Sequence, residues 1–385
     1  MRVLHVIPAV SPKYGGPSEA LVPMCKALSK RGVDVQIAST DAEPRGRIRV
    51  ELATPTAYQD VPVIFFKRQW SEAFKYSPQL AGWLNRNVSR FDLVHIHGIF
   101  SHACFSAATA CRRSGIPYVI RPLGNLEDRS LKQKSLRKKL FLNLGGNRML
   151  RNAAAIHYVC ETEKRRSETA IGINHGIVVP LGIDLSPPSL TKERNISDQR
   201  PYLLVLSRLQ PSKGIDVLIE AFLAAREDKL LSKWQLVIAG KGSSQYEALL
   251  KRKIKASGAT DAVLFPGWLE GEAKARRLNQ ASLLALPSHH DAFGFCLVEA
   301  MSYGVPVIAS PEVGLASEIA ADRAGWITAV ETKSLTDTLR SAMSDESERR
   351  MRGAAGRQLV RKFDWDEVTD HLIRLYELAI RGVTV

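Results

Sequence analysis

The stretch PSHHDAFGFCLVEAMSYGVPVIAS, from Pro287 to Ser310, sets a polar loop, a helix and a strand in succession. The residues before it end a buried strand, and Ser288 to Ala292 form the loop. A helix is predicted to begin near Gly294 and to end at Gly304, because glycine is favoured in a left-handed C-terminal cap. Val305 to Ala309 then begins the next strand. This succession of strand, loop and helix is the repeating unit of a parallel α/β sheet.

Two carboxylates, Asp291 and Glu299, flank the start of this helix with seven residues between them. Glu299 lies mid-helix among apolar residues, where a carboxylate is costly to bury unless something bonds it. The free N–H groups at the helix start near Gly294 form a natural phosphate site. A mid-helix glutamate taken alone is more often a solvated residue or a structural ion pair. Beside a loop carboxylate and a glycine helix start, it indicates a nucleotide-sugar pocket.

This stretch resembles the signature of the retaining family-4 glycosyltransferases, in which two glutamates are separated by seven residues. The resemblance extends over nearly the whole chain and implies an α/β architecture of the GT-B type, with two Rossmann-like domains facing each other across a cleft. It also implies transfer of a sugar from a nucleoside diphosphate sugar, with UDP-sugar favoured, to a lipid-linked or saccharide acceptor with retention. Asp291 departs from the pattern, because aspartate is one methylene shorter than the glutamate of the family.

Strand-like apolar runs alternate with helical segments along all 385 residues, which is enough chain for two domains. A polar break divides the pattern. We predict an acceptor-side domain over 1–186, a linker over 187–200, a nucleotide-sugar-binding domain over 201–364 and a terminal helix over 365–385 that packs back on the N-terminal domain. No run approaches the roughly 18 apolar residues of a membrane span. The five cysteines are scattered, as in a reducing compartment, so a cytoplasmic protein is expected.

The net charge of +15 is concentrated in the first half of the chain. Residues 1–185 carry 27 Lys and Arg against 14 Asp and Glu, whereas residues 186–385 carry 27 against 25. Leu136, Leu140 and Leu144 recur at helical spacing within the most basic segment, and the basic residues around them are Lys132, Lys134, Arg137, Lys138 and Lys139. A solvated surface helix is one interpretation. Peripheral contact with an anionic membrane, at its inner face, is the interpretation we favour; no nucleic-acid partner is expected.

Arg208 and Lys213 follow the first strand of the second half, in SRLQPSKGID. Ligands of parallel sheets bind at the carboxyl ends of strands, and a forked guanidinium with an ammonium suits a diphosphate. The resemblance assigns the donor diphosphate to this pair and places Asp291 against the donor sugar. It further implies that Glu299 binds the ribose hydroxyls and that the Trp268 backbone contacts the nucleobase; a side chain that only packs is the competing interpretation for Trp268. Gly240 lies in a glycine-rich turn after a strand, a pattern that is weak evidence for a nucleotide when taken alone. The other candidate donor contacts are Phe293, Gly294, Phe295 and Leu297.

In the first half, Gly16 follows the first strand, and the Gly-Gly pair there lets backbone approach the reacting centre closely. The resemblance makes Gly16 a donor-site residue. His95 and His97 end a later strand, and we expect one of them to point to each side. His97, nearest the strand end, is the candidate catalytic residue; a buried, hydrogen-bonded structural histidine is the competing interpretation.

One departure from the family pattern is a missing histidine, and one motif in the sequence resembles a metal site. Many members of the family carry a histidine where this sequence reads RPLGNLED, from Arg121 to Asp128; the segment instead resembles that of bacterial polysaccharide-assembly members. Asp364-Trp365-Asp366 has the DxD form of a metal site, but it opens the last predicted helix, so we interpret Asp364 as an N-cap. Neither a metal nor another cofactor is expected.

The leading hypothesis is therefore a metal-independent retaining hexosyltransferase. A non-catalytic carbohydrate-binding scaffold on a degenerate transferase fold is the alternative, supported by Asp291 and the missing histidine. A dinucleotide-dependent oxidoreductase ranks lower, because no GxGxxG followed by an acidic residue closes the first strand. The donor sugar, the acceptor and the linkage formed are not readable from the sequence.

Overall fold

The computed structural model describes residues 1–14, 16–44, 46–70, 72–185 and 200–382. The chain forms two compact units, one comprising residues 1–182 with 365–385 and the other residues 183–364. The linker expected over 187–200 lies outside the described residues except for Arg200. Each unit is built around its own sheet, so the two are described separately.

The first unit holds an eight-stranded sheet in the order β10-β9-β8-β7-β1-β2-β6-β5, parallel except for β5, which pairs antiparallel with β6. Its central strands are buried along their length, as expected when helices cover both faces. The strands of this unit, including the small β3–β4 ribbon, are β1 (Arg2–Ala9), β2 (Asp34–Thr40), β3 (Ala42–Glu43), β4 (Gly46–Arg47), β5 (Pro55–Tyr58), β6 (Val61–Phe66), β7 (Leu93–His97), β8 (Tyr118–Arg121), β9 (Ala155–Tyr158) and β10 (Gly176–Val178).

In the part of the chain that the structure describes, the helices of the first unit that precede the second unit are α1 (Gly16–Lys30), α2 (Pro78–Asn87), α3 (His102–Ser114), α4 (Asp128–Lys132), α5 (Ser135–Phe141), α6 (Asn147–Arg151) and α7 (Glu161–Ile171). The basic segment is not one continuous helix. Lys134 adopts a φ of +52°, which separates α4 from α5, and a π-helical turn over Leu142–Gly146 leads into α6. Helical spacing of the leucines in sequence did not reveal this break, because a single left-handed residue leaves no periodic signal.

The second unit contains a six-stranded parallel sheet in the order β13-β12-β11-β14-β15-β16. Its strands are β11 (Tyr202–Leu206), β12 (Gln235–Ala239), β13 (Val263–Gly267), β14 (Leu283–Leu286), β15 (Val307–Ala309) and β16 (Gly325–Ile327). The order reverses between β11 and β14, which is the topological switch point of a Rossmann-type sheet. The loops that follow these two strands are therefore the place where the second unit should bind a ligand.

The helices of the second unit are α8 (Ile215–Ala225), α9 (Ser244–Ala256), α10 (Gly271–Gln280), α11 (Phe295–Ser302), α12 (Ala316–Ala321), α13 (Thr332–Ser344) and α14 (Glu346–Leu359). Leu218, Phe222 and Trp234 are among the fully buried side chains on one side of the sheet. Gly304 closes the turn after α11 with a φ of +69°, as the sequence predicted for a left-handed cap.

The last helix, α15 (Trp365–Ile380), belongs to the first unit. Arg31 of α1 forms ion pairs with Asp366 and Asp370 of this helix, at N–O distances of 3.3 and 2.7 Å. The second aspartate of the DxD triplet thus serves a contact between α1 and α15. In the part of the chain that the structure describes, no helix combines the length and the apolar character that crossing a bilayer requires.

Candidate active site

Three loops meet at the carboxyl edge of the second sheet, at its switch point. The Leu209 N–H in the loop after β11 donates to the carbonyl of Lys241 after β12, at 2.9 Å. The His289 N–H after β14 donates to the carbonyl of Ser212, at 2.8 Å. These backbone bonds fix the loop of Arg208 and Lys213 against the loops that carry Gly240 and Asp291.

Lys213 and Asp291 form an ion pair within this site, with Lys213 Nζ at 2.7 Å from Asp291 Oδ2. The two side chains are 10% and 24% exposed, respectively, so the pair is shielded but reachable from solvent. Burial by itself would raise the pKa of Asp291. The Lys213 ammonium and the hydrogen bonds to the carboxylate outweigh that effect, and the net pKa lies below its usual 3.8. Asp291 is therefore ionised at neutral pH.

Asp291 also organises the start of α11. Its Oδ1 accepts hydrogen bonds from the backbone N–H groups of Phe293 and Gly294, at 3.2 and 2.8 Å. Gly294 has a φ of +91°, and a Cβ built there would lie 2.7 Å from Val313 Cγ1, so only glycine fits this position. The shorter side chain of aspartate thus suits a carboxylate that bonds its own loop, and the helix start is held rigidly.

Arg208 differs from Lys213 in its surroundings. Its side chain is exposed, and among the described residues its guanidinium has no hydrogen bond or ion pair within bonding distance. The nearby Gly240 permits a close approach between loops, because a Cβ there would lie 1.9 Å from the carbonyl oxygen of Ser207. The site therefore presents an exposed cation, Arg208, next to a lysine that is already paired.

Glu299 of α11 pairs with a residue that the sequence did not single out. Lys274 Nζ of α10 lies 2.5 Å from Glu299 Oε1, with the two side chains 30% and 18% exposed. This ion pair explains how a mid-helix carboxylate is tolerated among apolar residues. Glu270 precedes helix α10, which carries Lys274 and Arg277, and nothing in that pattern marked Lys274 as the partner.

The remaining residues expected around the donor differ in burial. Phe293 packs edge-on against the ring of Phe363, with centroids 5.7 Å apart, and its side chain and that of Leu297 lie in the core. Phe295 is half-buried. The indole N–H of Trp268 donates to Glu270 Oε1 at 2.6 Å while the ring stays partly exposed. The side chains of Phe293 and Leu297 thus face inwards, where a ligand does not reach them.

Gly16 and His97 belong to the first unit, whereas the residues described above belong to the second. Gly16 is the first residue of α1. His97 is fully buried, as is His95, and their rings contact each other with centroids 4.2 Å apart. The expectation that the two histidines point to opposite sides is wrong, because residues two apart on a strand share a face. The structure favours the competing interpretation of His97 as a buried structural residue.

His97 is one of four histidines in a buried network. His5 of β1 lies in register with His95 of β7, and His5 Nδ1 is 3.0 Å from His97 Nε2. His95 Nε2 is 3.3 Å from His157 Nδ1, and His95 Nδ1 is 2.8 Å from the hydroxyl of Tyr376 in α15. The sequence carried one signal for this network, the histidines at same-face positions within otherwise apolar strands.

The proton positions in part of this network follow from one acceptor. The Val179 carbonyl can only accept, so His157 Nε2, at 2.7 Å, must donate to it. In a neutral ring His157 Nδ1 then accepts from His95 Nε2, and His95 Nδ1 accepts from the Tyr376 hydroxyl. Burial, and to a smaller extent the buried Arg121 guanidinium, lower the pKa of His5 and of His157 to about 3. The rings are therefore neutral at physiological pH.

The same rings could in principle hold a cation. Ligand nitrogens of His5, His95 and His97 lie within 4.8 Å of one another. However, both nitrogens of His95 already have hydrogen-bond partners, and the Arg121 guanidinium lies close enough to lower all of their pKa values. The geometry favours a neutral hydrogen-bond network over a metal centre.

Comparison with known proteins follows the division of the chain. Residues 188–359 match the family model "Glycosyl transferases group 1", and residues 15–182 match the "Glycosyl transferase 4-like domain". The chain belongs to the family-4 glycosyltransferases. This glycosyltransferase is 24% identical to the D-inositol 3-phosphate glycosyltransferase of Xylanimonas cellulosilytica, over 99% of this chain and 96% of the relative. It is 27% identical to the phosphatidyl-myo-inositol mannosyltransferase of Mycobacterium leprae, over 57% and 58% of the two chains.

Among solved structures, the glycosyltransferase is similar to Anabaena Alr3699/HepE, crystallised in complex with UDP and glucose. The TM-score is 0.75 at 19% identity, and the match covers 98% of this chain and 99% of the other. At this sequence identity the structural similarity is evidence for the fold alone. The two Rossmann-like units thus make up the GT-B fold that the sequence predicted.

Proposed function

We propose that this glycosyltransferase moves a hexose from a nucleoside diphosphate sugar, a UDP-sugar above all, to a lipid-linked or saccharide acceptor, with retention and without a metal. The observation that carries the proposal is the Lys213–Asp291 ion pair, held at the switch point beside the start of α11. It brings a diphosphate-binding cation and a sugar-binding carboxylate within one hydrogen bond of each other.

The leaving diphosphate carries the charge that grows in the transition state. Exposed Arg208 has no partner among the described residues and can fork onto phosphate oxygens, while Lys213 supplies a second positive charge. The backbone N–H groups at the start of α11 add their aligned dipoles. Together these groups do the work that a divalent cation does in other phosphoryl-bearing sites.

Asp291 and Glu299 would hold the two ends of the donor. Asp291 is kept ionised by Lys213 and so can accept hydrogen bonds from sugar hydroxyls near the breaking bond. Glu299 would accept bonds from the ribose hydroxyls, with Lys274 holding its carboxylate in place. Contacts from the Gly240 and Trp268 segments would complete the nucleotide end.

The similar proteins support the choice of donor and acceptor. Alr3699/HepE was crystallised with UDP and glucose, which favours a UDP-hexose. The names of the relatives speak of inositol phosphate and of phosphatidyl-myo-inositol, a phosphorylated and a lipid-linked acceptor. This chain would share the reaction type.

Hydrolysis of UDP-sugars and thermal stabilisation by UDP test the proposal. Arg208→Ala and Lys213→Ala should each lower turnover by about 10²- to 10³-fold, the usual loss on removing one charge-stabilising donor. Arg252→Ala is the matched control, because Arg252 is exposed on α9 and has the same charge. Near-normal turnover in both site variants would contradict the assignment. UDP binding without any turnover would favour the non-catalytic scaffold.

A membrane contact at the cytoplasmic face forms the second part of the proposal. Leu136, Leu140 and Leu144 are 82%, 59% and 73% exposed on the basic segment. Such exposure of three leucines is costly in water and is relieved by an apolar phase. The ammonium of Lys138 already has partners within the protein, since its Nζ lies 3.1 Å from Ser130 Oγ and above the ring of Phe100. The leucines with the other basic residues of the segment would hold the enzyme reversibly against anionic lipid.

A further inference from the structure

The loop after β6 exposes a tryptophan to solvent in the first unit. The Trp70 ring is 83% exposed, and it stacks on the ring of Tyr76, with centroids 4.9 Å apart and planes 8° from parallel. Tyr76 in turn contacts the ring of His102 at the start of α3, with centroids 4.5 Å apart. We call these three rings the aromatic ledge.

Two backbone hydrogen bonds tie described residues of the ledge and its neighbours together. The Gln69 N–H donates to the Tyr76 carbonyl at 2.7 Å, and the His102 N–H donates to the Phe74 carbonyl at 2.9 Å. Trp70 itself adopts a φ of +52°, a left-handed conformation that costs roughly 1–2 kcal/mol for a residue with a side chain. A strained backbone that projects a large ring into water gains no core packing in return. Strain of this kind is concentrated at functional sites.

The loop of the ledge is tied to the segment that follows β1. Lys75 Nζ lies 4.3 Å from the centre of the Tyr14 ring, and the Tyr14 hydroxyl donates to Glu72. Glu72 also pairs with Lys75 at 3.0 Å and with Arg68 at 3.2 Å. Tyr14 precedes Gly16, the first residue of α1, by two residues. The ledge is therefore anchored next to the start of α1, which the proposed reaction uses. All of these groups lie at the carboxyl ends of β1, β6 and β7, where parallel sheets bind ligands.

We infer that the aromatic ledge is a subsite for a pyranose ring of the saccharide acceptor. The inference rests on the proposed function, because it names where the acceptor of that same reaction would be held. The flat face of a pyranose presents C–H groups of partial positive charge, which match the negative face of an indole ring. The ion-paired Arg68, Glu72 and Lys75 belong to the same loop, and we call them the polar rim; the carboxylate of Glu72, 46% exposed, can accept hydrogen bonds from sugar hydroxyls.

The polar rim indicates that the ledge binds a saccharide rather than a lipid. A surface that inserts into a bilayer presents several apolar side chains together, as the leucines of the basic segment do. Trp70 instead stands next to hydrogen-bonding and ion-paired groups, with Phe74 as the other large exposed apolar residue of its loop. One stacking ring within a polar rim fits a sugar, for which a few well-placed polar groups fix the orientation.

Saturation-transfer NMR on the full-length protein tests the ledge directly, with methyl β-D-glucopyranoside, methyl β-D-galactopyranoside and methyl α-D-mannopyranoside as probes. At least one glycoside should receive saturation on the protons of one ring face. Trp70→Ala should weaken that binding about tenfold, and Trp70→Phe, which keeps an aromatic face, should retain most of it. Leu136→Ala is the control, since Leu136 is an equally exposed apolar residue of the same unit.

Unfolding would not mimic the expected loss, because the exposed Trp70 ring contributes little to the core; an unchanged melting temperature checks this. Absence of saturation for all three glycosides, or saturation that persists in Trp70→Ala, would overturn the inference. So would a Trp70→Ala variant that loses sedimentation with phosphatidylglycerol vesicles while glycoside binding is unchanged. Thermal stabilisation by UDP is read separately, so failure of the donor site and failure of the ledge are distinguishable.

Discussion

Acidification should destabilise the first unit through its buried histidine network. The pKa of His5 and that of His157 lie at about 3 in the folded protein, against 6.5 for an ordinary histidine. Because the folded pKa is depressed, the neutral network is fully stable above pH 6.5. The free energy of unfolding then decreases as the pH falls from 6.5 towards 3, because the unfolded chain binds protons that the folded chain does not bind.

The magnitude follows from linkage. Each such histidine costs up to about 1.4 kcal/mol of unfolding free energy per pH unit inside that window. Between pH 8 and pH 5 the loss is about 2 kcal/mol for His5 and about 2 kcal/mol for His157. Burial also lowers the pKa of His95 and His97 well below 6.5, so both add to the loss. Domain stabilities are only about 5–15 kcal/mol, so the effect should be readily measured.

The other titratable groups at the network keep their charge state in this window, except Glu163, which acts in the opposite direction. Burial lowers the pKa of Arg121 to about 10, so it stays charged from pH 5 to 8. Burial raises the pKa of the Cys25 thiol and of the Tyr376 hydroxyl, so both stay neutral. Glu163, near Arg121, has a pKa raised by burial; its protonation favours the folded state and opposes the loss at the acid end.

Hydrogen exchange measured by mass spectrometry, corrected for intrinsic rates, gives the free energy of opening for each unit. Peptides of β1 and β7 should lose protection from pH 8 to pH 5. Peptides of β11 and β12 serve as the internal control, because His289 and His290 of their unit are not fully buried. His157→Gln, whose amide can still donate to Val179 without titrating, should show a shallower slope.

His371→Gln provides the matched variant, because His371 is exposed on α15. It should keep the full pH dependence. Opening free energies of β1 and β7 that stay flat to pH 5, or that fall equally in β11 and β12, would refute the reasoning.

Three further predictions concern the enzyme in solution. Lys274→Met should raise the KM for the donor several-fold with little change in kcat, since Glu299 loses the partner that positions it; an unchanged KM would contradict this. Activity should survive EDTA, and complete loss restored by Mn²⁺ or Mg²⁺ would show that a metal is required. Sedimentation with anionic liposomes at low salt should be lost, with UDP affinity unchanged, when serine replaces the three exposed leucines of the basic segment, Leu136, Leu140 and Leu144; a wild-type protein that does not sediment would exclude the contact.

The sequence by itself determined the class of fold and the donor-side motifs. Apolar runs alternating with helical segments predicted parallel sheets, and the turn chemistry of Gly294 and Gly304 placed the ends of α11 within two residues. These features are local: strand periodicity, helix caps and loops at strand ends depend on residues close together in the chain. The position of Arg208 and Lys213 after the first strand of the second sheet could be read for the same reason.

Tertiary structure alone decided which of these groups touch. Lys213 and Asp291 are 78 residues apart and meet because β11 and β14 are neighbours at the switch point. Glu299 pairs with Lys274 across two helices, and four histidines from three strands form one buried network with Tyr376 of the last helix. Whether a charged or aromatic side chain is paired, buried or exposed depends on strand order and packing, because neighbours in space come from distant parts of the chain.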